Sequence, residues 1–127
     1  MICPECGKSM LILEYRDIEV DYCPSCKGCW LDEGELELIL GKYGDSIASW
    51  NPEGGTKGKR KCPRCAVKMH VIPMPEQGPD IDACPSGCGI WLDEGELSAV
   101  IHAHVPPGSA SEMATVLAEI FDSKSDE

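Results

Sequence analysis

Nine cysteines stand in a chain of 127 residues, and eight of them come in close pairs. Cys3 and Cys6 lie in CPEC, Cys23 and Cys26 in CPSC, Cys62 and Cys65 in CPRC, and Cys84 and Cys88 in CPSGC. A CxxC turn aims two sulfurs at one point and leaves backbone N–H groups free to donate to them. Two such turns brought together complete a tetrahedral cage of four thiolates, the donor set zinc takes in closed structural sites. Sixteen residues separate the first two pairs and eighteen the last two. That spacing predicts two zinc ions, held by Cys3, Cys6, Cys23 and Cys26 and by Cys62, Cys65, Cys84 and Cys88.

The second pair of each set opens the same phrase. CPSCKGCWLDEGEL runs from Cys23 to Leu36, and CPSGCGIWLDEGEL from Cys84 to Leu97. The cysteine that opens each phrase precedes its tryptophan, Trp30 or Trp91, by the same interval, so the fourth ligand moves from the place of Cys26 to that of Cys88. Gly87 and Gly89 flank Cys88 and suit a widened turn. The ninth cysteine, Cys29, aligns with Ile90 and is expected to be a small core side chain. A redox or alternative-ligand role for it comes second.

Metal must do the work of a core here. A unit of about 40 residues buries too little apolar surface to fold unaided, and aromatic residues make up only 6% of the chain. Disulfides are the competing explanation. The opening MICPECGKSM shows no secretory signal, and no apolar run approaches a membrane span. The expected location is therefore the reducing cytoplasm, where thiols serve metals or catalysis. The odd number of cysteines points the same way.

The repeat sets the organisation: unit one over residues 1–43, a connector over 44–60, unit two over 61–105, and a tail over 106–127. Leu11, Leu13, Ile18 and Val20 alternate at period two, which predicts a strand pair turning at Arg16-Asp17. Pro73, Pro75 and Gly78-Pro79 predict a longer, less regular hairpin in unit two. Asp32 and Asp93 are expected N-caps, with Glu35 and Glu96 completing capping boxes. Leu36, Ile39 and Leu40 would form the buried face of the first helix, and Leu97, Val100 and Ile101 that of the second. Gly34 and Gly95 weaken a helix, and close approach to the hairpin would account for them. Ser109 to Glu112 begin a third, amphipathic helix carrying Met113, Val116, Leu117, Ile120 and Phe121. It would pack within the chain or pair with a second copy as a homodimer.

The expected class is thus a small metal-stabilised α+β protein, two tandem zinc ribbons with a C-terminal amphipathic helix. Its partners follow from charge. The net charge is −11, and loading both cages would make it more negative still. Phosphate backbones are repelled by such a surface, so a protein partner is expected and nucleic acid is not. The one basic run, KGKRK from Lys57 to Lys61, reads as a mobile solubilising segment, though it could satisfy acids within the chain. Trp50 in the connector is expected to pack on a neighbouring unit. His70, His102 and His104 fall off the metal spacing, and no catalytic arrangement is visible. An iron-loaded electron carrier of the rubredoxin kind and a nucleic-acid-binding ribbon are the alternatives. The WLDEGEL acids are read mainly as helix-start structure, with an acidic docking patch as the functional reading.

The CPxC, hairpin, CPxC-x-G-x-W-L-D-E-G-E-L pattern resembles the transcription factor IIB-type zinc ribbon family. The match covers both units, about 85 of the 127 residues. The resemblance implies zinc at the eight paired cysteines and says little of activity. The namesake factor uses its ribbon to contact RNA polymerase, which suggests a protein-docking role.

Overall fold

The computed structural model describes residues 1–15, 18–41, 55–73 and 80–104. The third helix expected over Ser109 to Phe121, Trp50, and the hairpin turn at Arg16-Asp17 lie outside the described residues.

Unit one contributes β1 (Leu11–Tyr15), β2 (Ile18–Tyr22), β3 (Cys29–Asp32) and α1 (Glu35–Leu40). Unit two contributes β5 (Lys68–Pro73), β6 (Asp80–Ala83), β7 (Gly89–Leu92) and α2 (Glu96–His104). One further strand, β4 (Thr56–Lys61), precedes unit two. All seven strands join one antiparallel sheet in the order β1-β2-β3-β7-β6-β5-β4. The repeats therefore meet edge to edge through β3 and β7, related by a local twofold axis.

Alternation along the strands divides the sheet into two faces. Ile18, Val20, Cys29, Leu31, Ile72, Ile81, Ala83, Ile90 and Leu92 point to one face, where α1 and α2 add Leu36, Ile39, Leu40, Leu97, Val100 and Ile101. Both units share this core, so neither completes its interior alone. The opposite face carries a second cluster of Trp30, Trp91, Met10, Met69 and four buried cysteines. Helices cover one side and sulfur the other.

Two expectations need correction, those for the basic run and for the helix starts. KGKRK is not a loose connector but most of β4, laid along β5 with a register shift between Lys57 and Lys61. Gly58 lets the strand lie close, since a Cβ there would meet the Met69 carbonyl at 3.0 Å. In unit two, β5 and β6 pair without interruption from His70↔Ala83 to Pro73↔Asp80. Pro73 is tolerated because it ends its strand; six residues separate β5 from β6 against two between β1 and β2, and the turn with Pro75 and Gly78-Pro79 lies outside the described residues. The caps also differ: α1 starts after Gly34, which is its N-cap with φ 89° and no side-chain cap. A Cβ on Gly34 would meet nothing within 4 Å, so backbone angle rather than close approach demands glycine there. Gly95, at φ 82°, repeats the solution before α2.

Candidate metal centres

The four sulfurs of Cys3, Cys6, Cys23 and Cys26 lie within 4.8 Å of one another, and so do those of Cys62, Cys65, Cys84 and Cys88. The eight cysteines singled out by spacing are thus brought together four and four. In each group the first and third sulfur-bearing residues are buried and the second is exposed. Cys3–Cys26, Cys6–Cys23 and Cys65–Cys84 have sulfur separations of 3.6, 3.3 and 3.6 Å. A disulfide would hold them at about 2.05 Å, whereas a tetrahedron with 2.3 Å arms has an edge of about 3.8 Å. The donor set therefore fits one zinc ion per cage.

Backbone geometry supports ionised sulfur. The Glu5 and Cys6 amides donate to Cys3 Sγ at 3.3 and 3.4 Å, and the Arg64 amide donates to Cys62 Sγ at 3.4 Å. Burial pushes the Cys3 and Cys88 thiols up to about 12. Burial also opposes ionisation of Cys23, but the Cys26 amide, the Cys6 thiol and the Ser25 amide together outweigh it and bring it down to about 7. Cys84 reaches about 7 in the same way, through the Cys88 and Ser86 amides and the Cys65 and Cys62 thiols. Each cage thus has one thiol ready to lose its proton near neutrality, and a dication supplies the charge that ionises the rest.

The tryptophans act across the repeat. Trp30 and Trp91 are fully buried. A Cβ on Gly28, in the unit-one knuckle, would lie 2.3 Å from Trp91 Cζ2, and a Cβ on Gly89, in the unit-two knuckle, would lie 2.8 Å from Trp30 Cζ2. Each indole therefore covers the knuckle of the other unit. The Glu33 amide donates to the Cys88 carbonyl at 3.1 Å, adding a main-chain link between units.

The acids of WLDEGEL hold these rings. Trp30 Nε1 donates to Asp32 Oδ1 at 2.9 Å, and the Asp32 amide donates to Glu35 Oε1 at 2.7 Å. Trp91, Asp93 and Glu96 repeat the pattern at 3.1 and 2.7 Å. The expected capping box survives only in its Glu half, and the Asp carboxylate latches the indole instead. Burial raises the Glu96 carboxyl to about 7, helped by the charges of Asp93 and Asp82.

Two arginines join the units. Arg64 pairs through both Nε and an Nη with the carboxylate of Asp32, which lowers the Asp32 pKa. Arg60, from β4, donates to Glu5 and Asp82 at 2.7 Å and to Asp93 at 3.0 Å. The basic run therefore does satisfy acids within the chain, through Arg60. Cys29 is a buried member of the shared core, and burial raises its thiol pKa. His70 lies on β5 and belongs to neither cage.

Sequence reasoning missed Arg64 and the reciprocal role of Gly28 and Gly89, and for Arg60 it named no partner acid. The glycines leave a trace, since they occupy the same place in both repeats. Arg64 leaves none, and nothing local says which acids Arg60 will meet.

Comparison with known proteins agrees with the geometry. A family model described as transcription factor zinc-finger, the TFIIB-type zinc ribbon, matches residues 2–42 and 61–103. No curated protein and no solved structure matches the chain. Each matched segment contains one complete four-sulfur cage. The chain belongs to the TFIIB-type transcription factor zinc-finger family, as two tandem copies of its zinc ribbon.

Proposed function

We propose that the chain is a non-enzymatic zinc protein of the cytoplasm that presents a rigid surface to another protein, an adaptor tied to transcription. Closure of both cages carries this reading. Catalytic zinc keeps one position for water or substrate, whereas a four-cysteine site has none. The sulfur atoms are spent on holding the sheet together. The family's description supports the link to transcription. Among the described residues no helix is long and apolar enough to cross a membrane. The net charge of −11 favours a protein partner with basic character over nucleic acid.

Gentle affinity capture from the source cells tests the reading. The expected result is a protein partner in stoichiometric amount, retained without nucleic acid. Repeated capture that yields no partner, or one that disappears on nuclease treatment, would contradict it.

A further inference from the structure

The two cages differ where the repeats fall out of step. In unit one the amide two residues beyond the last ligand, that of Gly28, donates to Cys26 Sγ. Moving the last ligand from the place of Cys26 to that of Cys88 makes the corresponding amide that of Ile90. That amide is already spent. The bond from the Glu33 amide to the Cys88 carbonyl fixes the phase of the β3–β7 ladder, in which Ile90 stands opposite Leu31. In that phase the Ile90 amide donates to the Leu31 carbonyl. None of the amide-to-sulfur bonds among the described residues ends on Cys88.

Other differences between the cages are smaller or cancel. Lys8 Nζ donates to Ser25 Oγ at 3.3 Å and straps the knuckles of unit one together, whereas the counterpart of Lys8 in unit two is the apolar Val67, 43% exposed. The strap is itself exposed and contributes little. Backbone strain does not separate the units, since Lys27 in one and Ala66 in the other both take left-handed angles, φ 69° and 67°. The charge of Arg64 bears on Cys88, but that guanidinium is held by Asp32 and is substantially exposed, so water screens it. The missing amide dominates, because a hydrogen bond to a charged acceptor is roughly twice as strong as a neutral one.

We infer that Cys88 is a modification site for soft electrophiles, and that the unit-two cage is the one that opens first. The unit-one cage is the lasting one. A thiolate without an amide donor keeps more of its electron density and attacks more readily. Cys88 also stands on the seam between the repeats: its carbonyl accepts from Glu33, and the next residue, Gly89, lies under Trp30. A group attached to Cys88 therefore acts on the joint of the two units as well as on its own cage.

The test is limited alkylation of the zinc-loaded full chain with iodoacetamide at neutral pH. The sulfur–carbon bond forms as the carbon–iodine bond breaks and iodide leaves. Chains carrying a single label are digested, the label is placed by mass spectrometry, and zinc per chain is measured in parallel. Cys88 should be labelled about tenfold faster than Cys26, the value of one charge-assisted bond, and the labelled chains should lose zinc. Exposure alone predicts otherwise, since Cys6 and Cys65 are exposed and Cys88 only partly so. First labelling at Cys6 and Cys65, or equal labelling of Cys26 and Cys88, would overturn the inference. The paired change Gly87→Cys with Cys88→Lys gives unit two the knuckle sequence of unit one, and labelling at position 87 should then fall to the rate of Cys26. A paired variant that holds two zinc ions and still reacts faster in unit two would also overturn it. Should that variant fail to fold, the ratio of Cys88 to Cys26 in the unaltered chain decides by itself.

Discussion

Trp30 and Trp91 occupy the same place in the two repeats and stand directly opposite each other in the β3–β7 ladder. Each is latched by an aspartate of its own unit and covers a glycine of the other. The interface is self-complementary in the manner of a twofold dimer, but both halves lie in one chain. Its consequence is that damage to one unit should be felt in the other.

Gly28→Ala tests that coupling. The new methyl has no room beside Trp91, and overpacking of this kind costs about 1–3 kcal/mol. Denaturant unfolding of the zinc-loaded chain should show the loss, and the indole fluorescence of Trp91, in the opposite unit, should shift. A substitution felt only near Gly28 would contradict the reciprocal packing.

The arginines should differ in value. Arg64 and Asp32 are substantially exposed, and pairs of that kind contribute roughly 0.2–1 kcal/mol. Arg60 pairs with three acids, one of them the 9% exposed Asp82. Its removal strands a desolvated carboxylate, at a cost of about 1–3 kcal/mol. Thermal unfolding of Arg60→Ala and Arg64→Ala should rank them in that order, and the reverse order would count against the assignment.

The cages and the helix faces were legible in sequence because each depends on spacing alone. Four cysteines at the right intervals need only a hairpin to converge, and Leu36, Ile39 and Leu40 share a face whatever lies beneath them. The joining of the units was not legible. Nothing in CWLD or GIWL says that β3 will pair with β7, since a buried strand reads the same whichever neighbour it has. KGKRK misleads for a related reason: charged residues with a glycine resemble a linker, and it is the distant β5 and the carboxylates of Asp82, Asp93 and Glu5 that hold the segment as an edge strand. Asp32 and Asp93 fit a helix cap by local pattern but were taken by the indoles two residues earlier.

Glu96 gives the fold a pH dependence. Its carboxyl is raised from 4.5 to about 7, by burial first and then by Asp93 and Asp82, with Arg60 opposing. The folded chain therefore holds a proton that the unfolded chain has released, and unfolding stability contributed here falls as pH rises from about 4.5 to 7. Glu96→Gln keeps an acceptor for the Asp93 amide without the charge. Relative to the unaltered zinc protein, it should gain clearly more stability at about pH 8 than at about pH 6, above the acid range in which protons displace the metal. An equal offset at both values would contradict the raised pKa.

Cys29 separates core from cage. Cys29→Ala should leave two zinc ions per chain by elemental analysis, with a modest loss of stability. Cys23→Ser should lose one. A protein that loses zinc on substitution of Cys29 would give that residue a ligand role the structure does not.

Metal removal tests the central claim most directly. Metal binding supplies much of the folding free energy of such small modules, and here the cages also hold the residues that join the two halves of the sheet. Stepwise chelation of the colourless, two-zinc protein, followed by near-ultraviolet circular dichroism and amide NMR, should show both units losing fixed structure together, with recovery when zinc is restored. A metal-free chain that keeps its native dispersion, or one whose sulfurs prove to be bridged as disulfides, would contradict the account.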